Sequence, residues 1–357
     1  MKKIFVMLII VVILPLFALP ASAEEGADEY ISEFEELLPE SLSGVTDKDR
    51  LADMVSIKSL VSLITDALKG ESGGVISFFL LLIGCVALTA LAETVGGKMS
   101  EDVSSCVGMV SSVLIFSSVQ KVYQGIMASL LQVNSFFLGL VPITAGVTAL
   151  GGGSAAAMAQ SGAMYTTVGL ISGFGTELFS SIVALGLAVS LLCALGNEEI
   201  SAVMRGIRAV FFWLLGIFTT LITGSFALQT LVASAADSMT VRAAKYMASG
   251  LIPVVGSTVS GALSTLASGL SYAKGIIGTG AVVALISLII SPLLMLLLYR
   301  LALSVSIILS EFVGKTAGKI LGAYRFSIDL LIALYALSAL IYVFEIILFI
   351  KIGVALF

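Results

Sequence analysis

The stretch that decides the reading is ALQTLVASAADSMTVRAAKYMASGLIPVVG, residues 227–256. Apolar runs flank it, Ala209–Leu221 before and Ile276–Leu298 after. Within it stand Gln229, Asp237, Arg242 and Lys245, polar groups in an otherwise membrane-like chain. Such groups are costly inside a bilayer and face protein or a wet cavity when they occur there. Arg242 and Lys245 are three apart and share a helical face, whereas Asp237 and Arg242 are five apart and do not stack. A helix should end or turn at Ile252-Pro253, because proline lacks the N–H and restricts its predecessor; Gly256 follows. Two readings fit: a loop between spanning helices, or an element that contacts a conduit or a partner. The candidate contact residues are Gln229, Asp237, Arg242, Lys245, Pro253 and Gly256.

The composition around this block is that of an integral membrane protein. Of 357 residues, 59% are hydrophobic and 11% charged, and the mean hydropathy is +1.14. A soluble domain could not cover that much apolar surface. Apolar runs of spanning length separated by short polar breaks favour α-helices over barrel strands, which would alternate over about ten residues. The fold class expected is all-α, a polytopic helix bundle. The 35 glycines suit close helix approach in lipid.

Charge is unevenly spread. Thirteen of the 23 acids lie between Glu24 and Glu71, against four bases there (Lys48, Arg50, Lys58, Lys69). No basic cluster is large enough to suggest a nucleic-acid partner. Cys85, Cys106 and Cys193 all lie in apolar runs and read as small packing residues. The chain has no histidine, the commonest acid–base group and metal ligand.

Residues 1–23 read as a cleaved secretory signal, with Lys2-Lys3, an apolar core and Ala21-Ser22-Ala23; the competing reading is an uncleaved anchor, since the apolar stretch continues through Leu19. Residues 24–74 form an acidic extracytoplasmic segment, expected as one or two amphipathic helices on the membrane or on a partner. Residues 75–357 form the multi-pass domain, with about seven crossings and the polar block 227–275. Val103–Val141 holds apolar sequence for two passes, broken near Gln120-Lys121, or for one long tilted helix plus a partial one; Pro142 and Gly151–Gly153 mark a flexible break. The positive-inside rule puts Lys315, Lys319 and Arg325 in the cytoplasm, and Arg242 and Lys245 with them. Arg205 and Arg208 conflict with this if a single helix separates them from Arg242.

No constellation carries catalytic chemistry. Gly314-Lys315-Thr316 resembles the end of a phosphate loop, but the pattern requires glycine where Leu309 stands. Gly314, Gly318 and Gly322 instead lie four apart, a helix-packing ridge. Gly169, Gly173 and Gly175 have the wrong spacing for a dinucleotide fingerprint and read as a helix break or packing surface. Glu177 is the candidate intramembrane acid. Asp329 reads as a helix cap, and Glu345 as an acid reaching the interface near Lys351. There is no carboxylate pair and no triad with histidine, so no enzyme activity, cofactor or metal is expected.

The runs A-L-Q-T, A-S-A-A-D-S, R-A-A-K-Y and L-I-P-V-V-G within 227–256 resemble the stage III sporulation protein AE family of endospore-forming bacteria. The similarity extends from the signal through the C-terminal apolar run, and the central block is its most specific part. The resemblance implies a non-enzymatic, multi-pass protein of the mother-cell membrane surrounding the forespore. It implies a place in a channel or secretion-like assembly required for endospore formation. The partners implied are other stage III sporulation membrane proteins, including a cytoplasmic ATPase and ring-forming extracytoplasmic proteins. The alternative is a stand-alone secondary transporter, which would need paired broken helices; Gly173 and Gly278 mark the glycine-interrupted segments.

Overall fold

The computed structural model describes residues 28–39, 42, 44–47, 50–51, 54, 57–95, 100–150, 154–193, 198–250, 256–313 and 315–354. Side chains are described outside 232–271 and outside a few positions next to helix ends. The signal segment 1–23 and Pro253 lie outside the described residues.

Every element described is helical. The order is α1 (Asp28–Leu37), α2 (Ile57–Val95), α3 (Ser100–Leu150), α4 (Ser154–Leu170), a π-helical segment (Ile171–Phe179), α5 (Ser180–Leu192), α6 (Glu198–Gly250), α7 (Gly256–Val313) and α8 (Lys315–Val354). In lipid each backbone N–H and C=O must find its partner within the segment, which these apolar sequences can do only as helices. Among the described residues, six helical runs are long and apolar enough to cross a membrane: Val61–Thr94, Asp102–Leu150, Ala157–Leu192, Ala202–Leu231, Tyr272–Val313 and Thr316–Ile350.

This differs from the seven crossings read in the sequence at one place. Residues 100–150 form one unbroken helix, nearer the single long helix than the two passes read there. Gln120 is half-buried and Lys121 exposed on its surface, and Pro142 lies inside it without ending it. A polar pair on one side of a long helix resembles a loop only when hydropathy is averaged around the axis. The helix is about 75 Å long, against a hydrocarbon layer of about 30 Å, so its ends project. The boundary read at residue 74 also falls inside an element, since α2 runs through Gly70 and Gly74.

α8 is the centre of the bundle. It packs against α7, α3, α5, α6, α2 and the π-helical segment. In the most apolar window of its span 61% is buried, against 17% for α6, which is the peripheral helix. α7 and α8 run antiparallel, with glycines admitting close contact near both ends. A Cβ at Gly278 of α7 would overlap Ile350, and one at Gly318 of α8 would lie 2.9 Å from Ser310 Oγ. Arg300 of α7 and Asp329 of α8 form an ion pair across the same interface. That pairing, well inside α8, replaces the capping role read for Asp329. The N-terminus of α8 is capped instead from α2, where Glu93 Oε1 accepts the Thr316 N–H at 3.2 Å.

α1 is amphipathic and docks on the bundle itself. Phe34 and Leu38 are buried, with Tyr30, Ile31 and Leu37 packed beside them. The cleft between α3 and α7 is deep enough because it is lined by glycine. A Cβ at Gly280 would lie 2.7 Å from Phe34 Cε1, and Cβ atoms at Gly139 and Gly146 would overlap Leu37 and Tyr30.

Candidate functional site

A heptad seam runs the length of α8. Tyr324, Ile328, Leu331, Tyr335, Ser338, Tyr342, Glu345 and Phe349 follow one another at alternating steps of four and three, and each is at most 2% exposed. Steps averaging 3.5 residues keep one face toward the bundle axis. From Tyr324 to Glu345 the seam covers about 30 Å, close to the thickness of the hydrocarbon layer. Four of its side chains make polar contacts to surrounding helices, each from a different level.

At the α8 N-terminal end, Tyr324 Oη donates to the Ser112 carbonyl of α3 at 2.8 Å. Ser112 Oγ in turn donates to the Leu191 carbonyl of α5 at 3.2 Å. One turn on, beside the seam, Ser327 and Ser190 of α5 bring their hydroxyls to 3.2 Å. In the middle, Tyr335 and Ser129 of α3 lie 2.8 Å apart. Next, Tyr342 Oη donates to Asn134 Oδ1 of α3. The Asn134 amide donates onward to Ser172 Oγ at 3.0 Å. At the last level Gln229 of α6 donates to both oxygens of the Glu345 carboxylate, at 3.1 and 3.4 Å.

The π-helical segment positions Ser172 in this network. Widening the helix loosens its backbone ladder. Side-chain hydroxyls line the widened turns: Thr176 donates to the Ser172 carbonyl and Ser180 to the Thr176 carbonyl. Ser181 donates to the Glu177 carbonyl at 2.7 Å. The helix is therefore widened at Gly173 and Gly175, not broken. Its outer aromatic face holds α6, through Phe179 with Phe211 (ring centroids 5.1 Å apart) and Phe174 with Phe218 (5.6 Å).

The sequence-derived candidates are placed as follows. Gln229 is buried against Glu345, and Lys274 is buried nearby with its ammonium 6.0 Å from the Phe349 ring centroid. Asp237, Arg242 and Lys245 lie on the C-terminal half of α6, an unbroken helix to Gly250, and their side chains are outside the described residues. Gly256 opens α7. Glu177 is exposed on the outer surface of an apolar span. Gly318 meets α7, Gly322 has nothing within 4 Å of a Cβ, and Gly314 lies outside the described residues. Glu345 corrects the sequence reading. It does not reach toward Lys351 and the interface, but is 2% exposed in the seam.

The basic residues are also regrouped. Arg208 and Arg325 line one cavity of about 350 Å³, so the N-terminal ends of α6 and α8 lie at the same end of the bundle. Arg242 lies about 50 Å further along the continuous α6. Arg242 and Lys245 are therefore at the opposite end from Arg325, contrary to the single cytoplasmic group read in the sequence.

The profile of stage III sporulation protein AE matches residues 33–354, from inside α1 to the last turn of α8. The chain belongs to the stage III sporulation protein AE family. Stage III sporulation protein AE of Bacillus subtilis (strain 168) is 23% identical over 292 residues, covering 78% of this chain and 72% of that protein. No solved structure matches. Within this sporulation family the matched region contains the whole α8 seam and all its partner residues, so the seam belongs to the family region of the chain.

The seam residues missed in the sequence were Tyr324, Tyr335, Ser338, Tyr342, Asn134 and Ser172. A visible signal existed for the first four and Glu345: the 4-3 spacing of polar and aromatic residues within one apolar run. Asn134 and Ser172 carry no such pattern.

Proposed function

We propose that this chain is a non-enzymatic membrane component of a channel or secretion-like assembly joining mother cell and forespore. It acts in the mother-cell membrane that surrounds the forespore. The family match over 33–354 carries the proposal. The packing is consistent with it. The seam is closed, with residues at most 2% exposed, so it binds the bundle into one body rather than forming an open path within the chain. The peripheral α6 offers an apolar face with Trp213 and Leu231 exposed, available to lipid and to partner membrane proteins.

The orientation follows from charge. The end holding Arg205, Arg208, Lys315, Lys319 and Arg325 faces the mother-cell cytoplasm, and an ATPase partner would meet it there. With six single crossings, the acidic N-terminal segment and α1 then face the space between the two membranes, where ring-forming partners would be met. The C-terminal half of α6, with Asp237, Arg242 and Lys245, projects on that same side and is the candidate partner contact. A secondary transporter with paired broken helices finds less support, because Gly278 lies inside unbroken α7 against Ile350.

The test is complementation. A strain lacking the gene is expected to form no heat-resistant spores. Asp237→Ala and Arg242→Ala copies are expected not to restore them while the protein still accumulates in the membrane. Normal spore yield without the gene, or substrate flux by the purified chain alone in vesicles, would overturn the proposal.

A further inference from the structure

We infer that the cavity between the N-terminal ends of α6 and α8 and the C-terminal end of α7 binds the phosphate headgroup of an anionic phospholipid. The cavity holds about 350 Å³. That is within the range of small-ligand sites. Its polar mouth carries two guanidinium groups, Arg208 and Arg325; its walls are Phe212, Ile307, Phe326 and Leu330. The lining carboxylate, Asp329, is committed to Arg300 in an ion pair. Arg325 is half-buried and has no hydrogen-bond or ion-pair partner among the described residues. Among the described residues Arg208 is held only by the ring of Phe212, 5.8 Å from its centroid. Two unneutralised cations therefore share one small concave site, and the site calls for an anion.

Depth selects which anion. Arg208 directly precedes the apolar run that starts at Ala209, and Arg325 lies three residues before Ile328; both fall within the first ten residues of their spans, Ala202–Leu231 and Thr316–Ile350. Both guanidiniums thus lie at headgroup level, above walls that are apolar. A lipid satisfies both halves at once, with phosphate on the arginines and acyl chains along the phenylalanines. Basic pockets between membrane helices are a recurrent setting for anionic headgroups. Arginine pairs with phosphate through two parallel N–H···O bonds, which a zwitterionic headgroup offers less freely because its own cation competes.

The rim of the cavity beside Arg325 offers a steric handle. A Cβ at Gly322 has nothing within 4 Å, so a larger side chain fits the fold and fills the site. The experiment is native mass spectrometry of the full chain in detergent, titrated with phosphatidylglycerol, phosphatidylcholine or inorganic phosphate. One phosphatidylglycerol per chain should bind more tightly than phosphatidylcholine, by roughly five-fold for each arginine engaged. The Arg208→Gln/Arg325→Gln chain should bind the two lipids alike. Gly322→Leu, which keeps both charges, should lose the preference as well, and it decides the matter if the double variant does not fold. Undiminished phosphatidylglycerol preference in Gly322→Leu, or no preference in the parent chain, overturns the inference. Displacement of the lipid by equimolar inorganic phosphate overturns it too, by making this a site for a soluble anion.

Discussion

Gln229 on the most peripheral helix is bonded to Glu345 on the most central one, through both carboxylate oxygens at 3.1 and 3.4 Å. The two residues are 116 positions apart, and both are buried. α6 also packs along α4, α5 and α8, with aromatic contacts to the π-helical segment, and its outer face is open to its surroundings. This bond ties α6 to the central helix just before its far half, which carries the charged block.

Replacing Gln229 by Leu removes the donor and leaves a buried carboxylate without one. A loss of about 1 to 2 kcal/mol is expected, at the upper end of hydrogen-bond contributions measured inside membrane proteins. The double variant Gln229→Leu/Glu345→Leu should recover part of it, because neither polar group then remains to be satisfied. Reversible unfolding in mixed micelles measures both. A double variant as unstable as the sum of the singles would show that the two side chains do not act as a pair.

Tyr342 and Ser338 lie one turn apart in the seam, but only Tyr342 has a hydrogen-bond partner among the described residues. Tyr342→Phe should destabilise by about 0.6 to 1.7 kcal/mol, since it abandons Asn134. Ser338→Ala should be neutral or slightly stabilising, because its buried hydroxyl has no bond to lose. The same unfolding assay ranks them, and the reverse order would contradict the network.

Gly280→Leu should expel α1 from its cleft, because even a Cβ would press on Phe34 and Val45. Limited proteolysis of the purified protein is expected to release residues around 28–37 from the variant while the wild-type chain resists. Equal protection would mean that α1 docks elsewhere.

Sidedness can be tested with single cysteines. Ser32 and Lys319 are both exposed and lie at opposite ends of the bundle. Cys106 is exposed, so the three native cysteines are first replaced by Ala. With the chain expressed in the cytoplasmic membrane of vegetative cells, where that side is open to the medium, a cysteine at Ser32 should react with an impermeant thiol reagent in intact cells, and one at Lys319 only after lysis. The opposite pattern would invert the orientation.

The helical class and most of the apolar spans are legible in the sequence because burial in lipid is a composition effect, summed over some twenty residues. What hydropathy averages away was not legible. The surface position of Lys121 on unbroken α3 is one case, and the burial of Glu345 is another. Glu345 sits close to the chain's end beside Lys351, and that proximity suggested the interface. Its true surroundings depend on Gln229, more than a hundred residues away. Gln229 itself is legible in the sequence, since a lone amide in an apolar run is costly unless paired. The regrouping of Arg208 with Arg325 needed the parallel start of α6 and α8, a tertiary fact that no local spacing encodes.

Affinity purification of the full chain from membranes of sporulating cells, with every co-eluting protein identified, bears most directly on the proposed role. The expected result is a particle much larger than the 37.0 kDa chain, containing other sporulation membrane proteins and an ATPase. Asp237→Ala or Arg242→Ala should shed those partners without loss of the chain. Recovery of the wild-type chain alone, from cells that are completing spores, would contradict membership in an assembly.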